Sequence, residues 1–293
     1  MKSLPSSFAM PALHLRSLCF IAGILMMPFV NAALGQDPQP AAPPAPDKPA
    51  GDRVKIVLKL DDVTSASPAW KRVFAFLKEK NVKCGAGIIC KSLDGDKKPY
   101  YAWLKEVNDT GLVEFWNHGW DHAQWKEGEV SLQEFKGPSY EQQKEHYTNS
   151  QKIVKEKLGI TMRSFGAPFN ATDDNTLKVL AEDPDTRVFM YGPTAKASEV
   201  PNVLILARTQ MNIENPLFLP NPDRIKTDYA KLKGKHDVFV IQGHPGNWTD
   251  ERFENFKKLV EYLISENVIF MTPYEYYQSK QGAAVSSNAP ATK

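Results

Sequence analysis

Cysteine is scarce in this 293-residue chain, neither sign of charge is in large excess, and no apolar run reaches the length of a membrane span. Of the three cysteines, Cys19 stands at the start of an apolar run rather than behind it, so it does not read as a lipid-attachment site. Cys84 and Cys90 lie within VKCGAGIIC. On one extended strand, residues six apart are roughly 20 Å from each other, beyond disulfide reach, so two buried thiols are expected. The 36 basic residues include Lys2 and Arg16 in a leader without acids, and removing that leader leaves 34 basic against 34 acidic. A neutral mature chain excludes the basic excess that nucleic acid or an anionic membrane surface requires. Lys231, Lys233 and Lys235 read as solvated surface, and no internal repeat is visible.

The leader itself has a recognisable order. Lys2 and Arg16 precede the apolar run Leu18 to Val30, and the small residues of VNAALG follow. That is the order of a secretory signal, and the run falls short of the roughly 20 residues that span a bilayer. Residues 1–32 are therefore expected to be removed, by cleavage after Ala32 or after Gly35, and the protein to be exported to a periplasmic or extracellular space without stable membrane insertion. Residues 33–52 form a Pro/Ala-rich linker; its segment QDPQPAAPPAPDKPAGD carries six prolines and no aromatic or β-branched residue. Such a stretch cannot bury enough surface to fold and is expected to be an extended tether. The tail 281–293, QGAAVSSNAPATK, is small and polar and expected to fray. One globular domain remains, residues 53–280.

Within it, strand-like and helix-like segments alternate. VKIVLKL is followed by SPAWKRVFAFLKEKN, where Trp70, Val73, Phe74 and Leu77 share a helix face at i, i+3, i+4 and i+7. VKCGAGIIC, the helical YYAWLKEVNDTG, LVEFWNH and a long polar helix around EQQKEHYTNSQKIVKEKLG come next. RSFGAPF, the helix DDNTLKVLAED, the strands RVFMYG, NVLILAR and DVFVIQGH, the helix ERFENFKKLVEYLISEN and VIFMT complete the domain. Alternation of this kind predicts an α/β fold with a parallel sheet covered by helices. Periodicity alone leaves a barrel and a doubly wound sheet equally open.

The polar clusters fall at predicted C-terminal ends of strands, the edge where parallel α/β folds carry their active sites. VKIVLKL ends in Asp61-Asp62, LVEFWN in His118 with His122 four residues on, RSFGAPF in Pro168 and Phe169, and DVFVIQG in His244. An acidic pair after a strand is by itself usually a turn or a helix cap. HGWDH is more specific: histidines at i and i+4 on a helical turn can share one ion, whereas on an extended strand they would stand roughly 13 Å apart. The strand must then end near His118, with Gly119 helping the chain to turn. Imidazole and carboxylate ligands together suit a divalent metal such as Zn2+ in an open site.

These segments resemble, in order and spacing, the motifs of the polysaccharide deacetylase family, the proteins sharing the chitooligosaccharide deacetylase homology domain. KLDDV resembles the first motif, usually TFDDG; HGWDH the second, H(S/T)xxH; FGAPFN the third, an Arg-x-Pro-Tyr type; and VIQGH the last, a Leu-x-Ile-His type. The resemblance covers residues 54–277. It implies a distorted (β/α) barrel of seven or so parallel strands and hydrolysis of N- or O-acetyl groups on a carbohydrate or cell-wall polysaccharide. Carried over by position, it implies that Asp62, His118 and His122 bind the metal and that Asp61 is the general base. His244 would protonate the leaving group, and the backbone N–H of Phe169 would help hold the oxyanion.

Two departures mark the chain as divergent. Val63 stands where the first motif ends in glycine, and Gly166 stands where the third motif has the arginine that pairs with the base. Arg208, at the end of NVLILAR, and Asn170 are the sequence's candidates to orient Asp61 instead. Arg163 is expected on the wrong face of its strand. Trp116, Trp120, Trp125 and Trp248 flank the histidine motifs and suit either sugar stacking or packing; His146 and His236 read as surface residues. Two other functions are compatible with these residues: a non-catalytic carbohydrate-binding protein on the same fold, and an amidohydrolase for a small non-sugar amide.

Overall fold

The computed structural model describes residues 53–287; the expected signal segment, the linker 33–52 and residues 288–293 of the tail lie outside the described residues. The architecture grows from strand β1 (Lys55–Val63), buried on both faces from Ile56 to Asp61. Alternation along it divides the molecule. Ile56, Leu58 and Leu60 point outward into a core shared with Trp70, Val73, Leu77, Phe256, Leu259 and Leu263, whereas Val57 packs with Trp116, Val188, Met190, Leu206 and Val240 inside the sheet. A period of two places Lys59 and Asp61 on the same inward face as Val57.

The remaining barrel strands are β2 (Cys84–Ile88), β3 (Val113–Asn117), β6 (Ser164–Phe165), β7 (Val188–Met190), β8 (Leu204–Leu206) and β9 (Val238–Gly243). They run parallel in the order β9-β1-β2-β3-β6-β7-β8, a nearly closed barrel, and β10 (Ile269–Phe270) adds to the first residues of β1. The seven-stranded barrel expected from the family resemblance is therefore the fold. Tyr191, just after β7, donates its hydroxyl to the Val240 carbonyl of β9 at 2.9 Å. Helices α1 (Pro68–Glu79), α2 (Lys98–Asp109), α3 (Tyr140–Leu158), α4 (Asp174–Glu182), α5 (Pro222–Leu232) and α6 (Asp250–Ser265) alternate with the strands. Their ends follow ordinary capping chemistry: Ser67 accepts from the Trp70 N–H ahead of α1, and α3 stops at Gly159 in the left-handed region, φ 76°.

Several expectations are corrected. A hairpin of β4 (Gln124–Glu127) and β5 (Val130–Gln133) follows the histidine motif, and α5 fills the stretch between Arg208 and Asp237. Helix α7 (Pro273–Ser287) runs beyond residue 281, where composition had placed a frayed tail. RSFGAPF and NVLILAR yield only short strands, Ser164–Phe165 and Leu204–Leu206. The two cysteines are free and buried, as expected.

The barrel interior is filled around the Trp116 indole, and the neighbouring strand makes room for it with glycine. A Cβ built at Gly87 would lie 2.4 Å from the Trp116 ring. Gly87→Ala therefore overpacks a closed interior and should lower unfolding stability by about 1–3 kcal/mol. A chemical-denaturation midpoint equal to that of the parent chain would contradict this packing.

Candidate active site

Four strand ends meet at the C-terminal mouth of the barrel. Asp61 and Asp62 close β1, His118 follows β3, Gly166 to Asn170 follow β6, and His244 follows β9. The backbone is forced into the left-handed region at Asp62 (φ 75°), His122 (φ 57°), Phe169 (φ 58°) and Asn170 (φ 54°). Such conformations cost about 1 kcal/mol or more each for non-glycine residues and persist only where surrounding contacts dictate them.

Asp62, His118 and His122 bring one ligand atom each within 4.8 Å of one another. Asp62 Oδ1 lies 3.1 Å from His118 Nε2 and 3.5 Å from His122 Nε2. His118 Nδ1 sits 2.6 Å from the Gly166 carbonyl, which can only accept, so Nδ1 carries a proton and Nε2 is the nitrogen turned toward Asp62. Two imidazole nitrogens thus crowd one carboxylate oxygen, a donor set that fits a divalent cation. Burial, followed by the charge of His118, holds His122 below the ordinary histidine value and favours the neutral ligand form. Burial pushes the Asp62 carboxyl up, but the hydrogen bond and charge of His118 outweigh it and hold the group well below the usual carboxylate range.

The histidines do not lie on a helical turn as expected. Residues 118–123 form a loop in which Gly119 takes φ 77°, and the buried Glu134 clamps it from below. Glu134 accepts from the Trp120 and His122 N–H groups, the latter at 2.7 Å, and from His146 Nδ1 at 3.1 Å. A Cβ at position 119 would lie 2.7 Å from a Glu134 oxygen, so only glycine fits between clamp and loop. His146, expected at the surface, is instead part of this clamp. Asp121 completes a second His/Asp/Glu group with Glu134 and His146, and Lys91 pairs with Asp121 at 3.4 Å.

Asp61 is buried, with 1% of its surface exposed, and its two oxygens are treated differently. Oδ2 receives Lys59 Nζ at 2.5 Å and Gln242 Nε2 at 2.6 Å, whereas Oδ1 is buried without a partner. Across the mouth, His244 Nδ1 lies 2.7 Å from Glu214, which also accepts from the His244 N–H at 2.7 Å and from Trp248 Nε1 at 2.8 Å. Burial pulls the His244 imidazolium down, but the hydrogen bond to Glu214 and the charges of Asp61, Glu214 and Asp62 outweigh it. Its pKa is therefore raised above the ordinary histidine value. One carboxylate with a bare oxygen and one imidazole shifted toward its charged form, on either side of a group that fits a cation, can act as base and acid.

The polysaccharide deacetylase family matches residues 48–186, the span that contains the first three motifs. Over that span the chain carries a divergent polysaccharide deacetylase domain. Several solved structures share its fold. The Xyl-CE4 domain of a multidomain xylanase from the Trinervitermes trinervoides hindgut metagenome is 14% identical with a TM-score of 0.53, over 78% of this chain and 92% of that one. A family 4 acetyl xylan esterase from Clostridium thermocellum, in complex with a cobalt ion, is 16% identical with a TM-score of 0.55, over 78% and 92%. A CE4 family pseudoenzyme from Bacillus anthracis is 16% identical with a TM-score of 0.53, over 77% and 66%. No curated protein matches the sequence.

The residues expected to orient Asp61 do not do so directly. Arg208 makes no hydrogen bond to Asp61; it is exposed and lays its guanidinium over the Tyr191 ring, 5.5 Å from the centroid. Asp61 Oδ2 already holds two donors, which removes the need for it. Asn170 acts one bond away, donating to Gln242 Oε1 at 3.1 Å and accepting from Lys59 at 3.4 Å. Phe169 lies against the ligand set, its ring 4.2 Å from that of His122. Trp116 and Trp248 are buried packing residues.

Sequence reasoning missed Lys59, Gln242, Glu134 and Glu214. Only Lys59 left a readable signal, as a charged residue in an apolar strand two positions from Asp61. The Glu214–His244 contact gives a testable sign. Glu214→Gln removes the charge that raises His244, so the His244 titration midpoint, followed by NMR on the metal-free protein, should move to lower pH. An unchanged or raised midpoint would show that Glu214 does not tune this imidazole.

Proposed function

We propose that this protein is an exported metal-dependent hydrolase that removes acetyl groups from a carbohydrate or cell-wall polysaccharide. The observation that carries the reading is the division of labour at the barrel mouth: three converging ligand atoms lie beside a carboxylate with one oxygen saturated and the other bare. Asp62, His118 and His122 would hold the ion, and Zn2+ is the ion that two imidazoles and a carboxylate suit best. A bound divalent ion supplies Lewis acidity toward the acyl carbonyl and lowers the pKa of water.

The other steps fall to the chain's own groups. Asp61 Oδ1, free of donors in its buried setting, takes the proton of the attacking water. The N–H of Phe169 stabilises the oxyanion of the tetrahedral intermediate. His244, whose imidazolium is favoured by its contact with Glu214, gives a proton to the departing amine or alcohol. The barrel and the deacetylase domain support acetylated sugar as the substrate class. The leader's composition supports export, and among the described residues no helix is long and apolar enough to cross a membrane.

Metal analysis combined with acetate release from a panel of acetylated glycans tests the proposal. His122→Ala should lose most bound metal and all hydrolysis while staying folded. Stoichiometric zinc in that variant, by elemental analysis, would remove the ligand assignment. The acidic pair should separate: Asp61→Asn keeps the metal and loses turnover by about 10²–10⁴-fold, the worth of a positioned general base, while Asp62→Asn weakens metal binding. The reverse pattern would exchange their roles. A folded, metal-loaded parent chain that releases acetate from no glycan would favour a binding protein on this fold.

A further inference from the structure

We propose that Lys59 is the cation that holds the base Asp61, supplied from inside the first strand in place of the arginine missing at position 166. The inference rests on the deacetylase reading of Asp61. Lys59 and Asp61 are two residues apart on β1, so a single strand presents both side chains to the barrel interior. Lys59 has no exposed surface, and its Nζ lies 2.5 Å from Asp61 Oδ2. With Gln242 Nε2 on the same oxygen at 2.6 Å, the carboxylate is fixed by two donors on one side, and Oδ1 alone is left to take a proton. Asn170 Oδ1 receives a second Lys59 hydrogen at 3.4 Å, and the ammonium lies 4.8 Å from the Trp116 ring centroid and 5.2 Å from that of Tyr191. Aromatic faces on this side offer the ammonium favourable contacts that do not compete for the carboxylate.

Gly166 explains why the cation comes from β1. A Cβ at position 166 would lie 2.8 Å from the Trp116 ring and 3.2 Å from Lys59 Cε. The space that a side chain from the third motif would enter is occupied by the Trp116 indole and the lysine stem. Glycine at 166 and lysine at 59 are therefore one exchange, with the positive charge kept and its point of attachment moved to another strand. Arg208 cannot be that cation, since its guanidinium is exposed over Tyr191. A nucleophilic role for Lys59 is disfavoured because its amine is enclosed and paired. A purely structural ion pair is the remaining reading, and buried pairs seldom add stability over well-packed apolar residues.

The test is a cycle of Lys59→Met, Asp61→Asn and the double variant, read by thermal midpoint on metal-free protein and by kinetics on the zinc-loaded enzyme. Each single variant strands a buried polar partner, so the two losses in Tm should exceed the loss in the double variant. Lys59→Met should lower kcat by about 10–10³-fold, within the range a general base supplies, with KM and zinc content unchanged. In the Asp61→Asn background the same substitution should change kcat by less than about twofold, because residues that act as a unit are not additive. Additive Tm losses, an unchanged kcat, or an equal further loss in the Asn background would each overturn the proposal. If Lys59→Met does not fold, Lys59→Gln, which keeps a donor and lacks the charge, goes through the same cycle with the same expectations. If the parent chain releases acetate from no glycan, the deacetylase reading falls, and the Tm cycle still decides whether Lys59 and Asp61 are one unit.

Discussion

A carboxylate inside a barrel is costly unless its charge is met, and much of the site is arranged around meeting it for Asp61. An ionised group taken out of water loses several kcal/mol of solvation, which only close donors restore. Lys59 and Gln242 restore it on one oxygen, and Asn170 ties those two donors together. The bare oxygen is the consequence of that one-sided arrangement. The Trp116 indole and the glycines packed around it, Gly85, Gly87 and Gly166, leave the space in which the lysine stem runs. Base, cation and packing are thus one construction.

Two further buried carboxylates hold the histidines. Glu134 is bound to the main chain on either side of Asp121 and fixes the loop that carries His122, while Glu214 takes the side chain and the main chain of His244 together. In each case a charge-assisted hydrogen bond to backbone N–H replaces the regular secondary structure that the loop lacks. This is why functional groups can stand in strained conformations at the barrel mouth. The strain is carried by partners fixed on the scaffold beneath.

The candidate site residues were legible where motif and strand end coincide: Asp61, Asp62, His118, His122 and His244 all come together at one edge of the barrel. Their surroundings were less legible. Arg208 looked suitable because a strand places it at the correct end, yet its side chain turns out to the Tyr191 ring. His146 looked like a surface residue because its helix is polar, yet it reaches Glu134. Glu214 and Gln242 carry no local pattern, since their partners His244 and Asp61 lie 30 and 181 residues away in sequence.

By itself, the sequence determined the alternation of strands and helices, the edge at which the polar clusters would gather, and the three residues whose ligand atoms converge there. These follow from local rules: a period of two or 3.6, a turn residue, a motif at a strand end. Alternation also determined that Lys59 and Asp61 share a face, because that relation lies within one strand. Only the tertiary structure decided that the shared face is a closed interior, that Gly166 leaves no room for a side chain, and that the lysine has Asp61 as its nearest partner. The reason is physical. Burial, and hence the need of a charge for a partner, is a property of the closed sheet and the elements packed on it, which no single segment contains.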